Sequence, residues 1–291
     1  MPRGNVLVAS AFAAIGVIAA APARADEPRP EPRTELRHDL RIDIPATAAL
    51  GAVTVGVRLV RDDLEPSACR VCDPAGASGP NAVDRFFRDA LVRRDTQPAN
   101  VTSYALAFGA APASALALGA LAAAHDGRGP SDFLVDFLVM AEGGFSAMLV
   151  AESLESVLLR ERPYVHAMTD EDERRAVIAK TGAFHSLPSG HVAAAFGAAA
   201  AAGTVASMRG YRLAPIVWAS GIVLGVATAY TRMAADRHYF TDTLAGAGIG
   251  AVVGAGIPLL AHRPRSDDGA RSALELHLVA SPGSVGVAGA F

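Results

Sequence analysis

The chain has 291 residues, of which 51% are hydrophobic and 19% charged, and its formal net charge is −3. A near-neutral balance without a basic cluster argues against a nucleic-acid partner. Plentiful alanine, valine, leucine and glycine with few aromatic residues suits helices packed closely in lipid, where small side chains let backbones approach.

From the N-terminus, Arg3, an apolar run over residues 6–21 and Ala23-Arg24-Ala25 predict an export signal over residues 1–25. An uncleaved first membrane helix is the other reading of that run. Residues 26–100 are expected to be an exported linker with its own local features. Residues 26–41, rich in proline, glutamate and arginine, lack an apolar face and read as solvated. Residues 44–60 are apolar, but Arg58 leaves them short of the roughly 20 residues that a crossing needs. The expectation is a segment lying on the surface or re-entering. Cys69 and Cys72 are the only cysteines. In an exported chain so close a pair reads as a local disulfide or as two free thiols, and nothing nearby completes a zinc site. Over residues 81–91, Phe86, Phe87, Ala90 and Leu91 share one face, with Asp84, Arg88 and Asp89 elsewhere. That pattern predicts an interfacial helix or an ordinary cap helix.

Five longer apolar segments follow, at residues 104–124, 133–159, 192–208, 213–230 and 240–261. Each can cross or nearly cross a hydrocarbon core of about 30 Å. The predicted fold is all-α, a membrane-embedded bundle of five or six apolar helices, with five crossing. The run from Ala245 to Gly250 places small residues at four-residue spacing, a helix-packing face; no strand precedes it, as a nucleotide loop would require. Residues 263–291 form a C-terminal tail, in which two alternating pieces around Ser281-Pro282-Gly283 read as a small hairpin or a mobile extension.

Three segments carry chemistry: Arg162-Pro163, then Pro188-Ser189-Gly190-His191, then Arg232 followed by His238 and Asp242. Two arginines, two histidines, a Ser-Gly turn and a carboxylate suffice for phosphoryl transfer without a metal. His238 and Asp242, four apart, share a face if helical, so the carboxylate can orient the imidazole. The loops holding these segments fall on one side of the membrane. The opposite loops carry Arg128, Arg209, Arg212, Arg263 and Arg265, a bias that favours that side as cytoplasmic.

These segments resemble the signature of the type 2 phosphatidic acid phosphatase (PAP2) superfamily, and with it the membrane-bound bacterial branch. That signature reads lysine, six residues, Arg-Pro; then Pro-Ser-Gly-His; then Ser-Arg, five residues, His, three residues, Asp. Two positions depart from it: Glu155 stands in the lysine position and Thr231 in the serine position. With its flanking helices the resemblance covers residues 101–262.

The resemblance implies a metal-independent phosphatase, without cofactor, acting on a phosphomonoester or diphosphate of a lipid or isoprenoid carrier. It implies His238 as the nucleophile, Asp242 as the acceptor that fixes its tautomer, and His191 as general acid and then base. Arg162, Arg232, Ser189 and Gly190 would bind phosphate. Arg160 would either replace the missing lysine charge or pair with Glu155. The implied location is the bacterial inner membrane with the site facing the periplasm. A soluble exported acid phosphatase, a vanadate-dependent haloperoxidase and a non-catalytic membrane protein share enough of the pattern to stand beside this reading. His185 reads as a residue supporting the site, His166 as a solvated loop residue, and the charged run from Asp170 to Arg175 as a solvated face.

Overall fold

The computed structural model describes residues 34–64, 69–71, 80–179, 182–265, 275–281 and 284–290. The expected leader over residues 1–25, the first part of the linker and Cys72 lie outside them. The helices are α1 (Leu40–Leu64), α2 (Ala82–Leu91), α3 (Gln97–Ala105), α4 (Ala111–His125), α5 (Pro130–Leu158), α6 (Pro163–His166), α7 (Glu171–Ile178), α8 (Gly190–Met208), α9 (Ala214–Ala234) and α10 (Phe240–Ala261). A π-helical turn, Leu106–Ala110, joins α3 to α4 in one rod. Strands β1 (Glu275–Ser281) and β2 (Ser284–Ala290) pair antiparallel, the expected hairpin.

Among the described residues six helices are long and apolar enough to cross a membrane. The sixth is Leu40–Arg61, expected to stay short of a crossing. It continues past Arg58 because Arg58 and Arg61 are paired with Glu152 and Glu155 of α5. Paired charges facing a neighbouring helix are tolerated where isolated ones are not.

The six rods alternate in direction, so the C-terminal ends of α1, α5 and α9 meet the N-terminal ends of α3, α8 and α10. At the opposite end Asp136 accepts hydrogen bonds from Arg209 Nε at 2.6 Å and Tyr211 Oη at 2.5 Å. There, too, Arg37 N–H donates to the Arg263 carbonyl at 3.0 Å, tying the start of α1 to the end of α10.

Helix α8 runs through the centre, and its small residues let its neighbours come close. A Cβ at Gly246 would lie 2.5 Å from the Ser189 carbonyl oxygen, and one at Gly250 would lie 2.7 Å from that of Ala193. The expected small-residue face of α10 therefore packs on α8 and fixes the height of the Ser189-Gly190-His191 turn against Asp242.

Helix α2 turns its acidic face inward and leaves much of its apolar face outside, an arrangement compatible with the expected interfacial helix. Phe86 is 67% exposed, whereas Asp84 is fully buried. Asp84 accepts from Thr241 N–H at 2.9 Å, Thr241 Oγ1 at 2.8 Å and Arg160 Nη2 at 2.9 Å, so it caps the start of α10. Phe87 stacks on Phe240 with ring centroids 4.1 Å apart. The run from Asp170 onward forms α7, which has no buried residue, as expected.

Candidate active site

The chain turns sharply out of α5 at Leu159, whose φ of 45° ends the helix in the left-handed region. This turn delivers Arg162 inward. Its Nε donates to the Gly182 carbonyl at 2.6 Å and its Nη1 to the Arg237 carbonyl at 3.1 Å. The Ser189 turn is tied to α10 by a hydrogen bond from Ser189 N–H to the Asp242 carbonyl at 3.0 Å. The three sequence segments thus meet at one end of the bundle.

His238 stands at their centre. Its Nδ1 lies 2.7 Å from the Ser186 carbonyl, which can only accept, so Nδ1 carries the proton. Its Nε2 lies 3.1 Å from Arg232 Nη2 and 3.4 Å from Arg162 Nη1, which can only donate. Nε2 is therefore the bare nitrogen, facing two guanidiniums. Burial, with the fields of Arg232 and Arg162, holds the imidazole neutral well below the ordinary histidine range.

Arg232 is itself held: its Nη1 donates to Asn100 Oδ1 and Ser103 Oγ, both at 3.1 Å. His191 is buried at the first turn of α8, between the rings of Tyr104 at 4.4 Å and Phe108 at 4.8 Å. Ser189 Oγ, His191 Nε2 and Arg232 Nε are buried with no hydrogen-bond partner among the described residues. Buried polar atoms are normally satisfied, so three unsatisfied ones on three of the site residues mark where a polar ligand fits.

Four expectations need correction. Asp242 does not accept the His238 proton. Its carboxylate takes Ser186 Oγ at 2.6 Å and Tyr239 N–H at 2.9 Å and pairs with Arg160, so it acts on His238 through Ser186. Arg160 does not pair with Glu155 and is not free to replace the missing lysine charge, being clamped between the carboxylates of Asp84 and Asp242 with Tyr239 beneath it. The Gly190 amide is taken by Glu155 Oε1 at 2.9 Å. His166 is buried, with Nδ1 3.4 Å from Glu161 Oε2, and is not solvated. The remaining flanking histidine, His185, is buried and bridges to Arg160 through its backbone. Thr231, the milder departure, returns its hydroxyl to the Ala227 and Thr228 carbonyls at 2.9 Å each.

A family model described as the PAP2 superfamily matches residues 137–265. The expected resemblance to the PAP2 superfamily is borne out over those residues. No curated protein and no solved structure matched the chain. The PAP2 match contains every residue expected at the site, and it supports phosphatase-type chemistry in general. The supports of this candidate site reach well before the matched region. Asp84, Asn100, Ser103, Tyr104 and Phe108 were all missed in the sequence, as was Ser186 within the match. Each is a common residue type whose role exists only through a contact distant in sequence. One usable signal was present: Arg58 and Arg61 repeat the one-turn spacing of Glu152 and Glu155 with opposite charge.

Proposed function

We propose that this protein is a membrane phosphatase that hydrolyses a phosphomonoester or diphosphate on a lipid or isoprenoid carrier through a phosphohistidine. The observation that carries the reading is the bare Nε2 of His238, buried between Arg162 and Arg232. A nitrogen nucleophile needs its lone pair free and the attacked phosphoryl oxygens neutralised, and this arrangement supplies both. Nε2 attacks phosphorus while the bond to the leaving oxygen breaks, and His191 gives that oxygen its proton. Neutral His191 then takes a proton from water, whose oxygen attacks phosphorus as the P–N bond breaks. Inorganic phosphate leaves and His238 is restored. No step uses a metal. The six apolar helices support a lipid substrate arriving from the bilayer.

Support for the orientation comes from Cys69, which is disulfide-bonded on the site end of the bundle, where Arg70 N–H donates to the Leu159 carbonyl at 3.1 Å. Disulfides persist in oxidising compartments, which supports a site facing the periplasm across a bacterial inner membrane. With α1 crossing, residue 34 then lies on the inner side. An outward site and a leader cleaved on the outer side exclude one another, and of the two we keep the outward site.

The test is phosphate release in detergent from phosphatidic acid, phosphatidylglycerol phosphate, undecaprenyl diphosphate and lipid A, each with and without chelator. Release from one or more, unaffected by chelator, is expected. The carboxylate of Glu155 on the Gly190 amide favours one rival, a non-catalytic member of the superfamily. Release from none of the lipids would select that rival.

A further inference from the structure

Two carboxylates border the anion site. Glu152 and Glu155 lie one turn apart on α5, both buried, and Glu155 caps the N-terminus of α8 through Gly190. The field of Glu155 reaches Arg162 and Arg232, the two cations on His238 Nε2. An unbalanced carboxylate here would repel a phosphate dianion and draw those guanidiniums toward itself.

Helix α1 presents two arginines with the same one-turn spacing. Arg61 bonds Glu155 through Nη1, and the same Nη1 lies 2.9 Å from Glu152 Oε2. Arg58 bonds Glu152, and its guanidinium sits 4.5 Å from the Phe108 ring, which in turn packs on His191. Arg58 lies within electrostatic reach of His191, and Arg61 within that of His238. Arg160 contributes no net positive charge, because two carboxylates hold it.

We propose that Arg58 and Arg61 are working parts of the phosphate site. Arg61 is a positioning residue that neutralises Glu155 and leaves Arg162 and Arg232 free for the anion. Arg58 supplies positive charge on the His191 side. Helix α1, outside the region matched by the family model, is thereby required for phosphate binding. The inference rests on the phosphatase reading. Its rival is a purely mechanical role, in which the four charges only fasten α1 to α5.

The experiment measures inorganic phosphate binding to the full chain in detergent by titration calorimetry, beside hydrolysis of dioleoyl phosphatidate. Arg61→Gln should weaken phosphate binding roughly tenfold or more, and Arg61→Lys by no more than about threefold. Arg61→Gln combined with Glu155→Gln should return to within about threefold of wild type, because the pair is removed together. Arg58→Gln should weaken binding several-fold and stay folded, since Glu152 keeps Arg61, and Glu155→Gln should not rescue it. The inference is overturned if folded Arg61→Gln and Arg58→Gln bind phosphate as wild type does. It is equally overturned if the Arg61/Glu155 double variant binds no better than Arg61→Gln. A wild-type protein that neither binds phosphate nor hydrolyses phosphatidate would overturn the phosphatase reading with it, whereas one that does both isolates the failure to α1.

Discussion

The Nδ1–H of His238 is held by the backbone carbonyl of Ser186 at 2.7 Å, while the Ser186 hydroxyl is held by the Asp242 carboxylate at 2.6 Å. The carboxylate thus fixes the imidazole at one remove. His238→Ala should abolish phosphate release, a loss of about a thousandfold or more, with the helical content intact. Asp242→Asn should lose less, and Ser186→Ala, which keeps the carbonyl, least of the three. Steady-state kinetics on the purified variants decides the order, and near-normal turnover by His238→Ala would sink the covalent mechanism.

The pH profile carries a definite sign. Burial and two neighbouring guanidiniums disfavour protonated His238, so the free enzyme keeps its nucleophile bare until the pH falls well under 6.5. The acid limb of kcat/KM, which reports the free enzyme, should therefore lie below the ordinary histidine range. Arg162→Gln removes one of the disfavouring cations and should move that limb to higher pH while lowering the plateau.

Glu155→Lys puts an ammonium against Arg61 and against the N–H of Gly190, both now bonded to a carboxylate. Activity should fall by roughly an order of magnitude or more, with a lowered melting temperature. Adding Arg61→Glu should restore part of both. A gain of activity in the single variant would mean that Glu155 only impairs the site.

Gly246 leaves no room for a side chain beneath the Ser189 carbonyl. Gly246→Ala should destabilise the bundle by about 1–3 kcal/mol through overpacking. Because the displaced group is the Ser189 turn, kcat should drop along with the melting temperature. The same change at Gly248, with nothing near its Cβ position, should alter neither.

Asp84 is fully buried and joins Arg160 to the start of α10. Asp84→Ala leaves Arg160 with one carboxylate and the Thr241 amide without its acceptor, at a cost of about 3 kcal/mol or more. Thermal unfolding in detergent checks the stability loss. Reduced turnover in the surviving fold would show that the α10 cap holds His238 and Asp242 in register.

The helices were legible because length and apolarity are local properties: α8, α9 and α10 fall close to the segments read from composition alone. That α1 is long and apolar enough to cross was not, because Arg58 counts against a span until Glu152 is known to face it. The motif residues at the centre of the site were legible from their spacing. Their supports were not, since Asn100 and Ser103 bear on Arg232 only once α3 lies against α9. The role of Asp84 was hidden for a related reason. The apolar face of α2 stands out in the sequence, whereas the hydrogen bonds from Arg160 and α10 that hold its acidic face inward are contacts distant in sequence.

The π-helical turn at Leu106–Ala110 sets a length constraint on this lineage. Such a turn holds one residue more than the α-helix it interrupts, so it behaves as an insertion. Losing any one residue there would let the rod wind as plain α-helix and swing everything before it by about 100°. Asn100, Ser103 and Tyr104 would then face away from Arg232 and His191, with every motif residue untouched. A homologue that keeps all three motifs but is one residue shorter in this stretch should have found another way to hold its arginine.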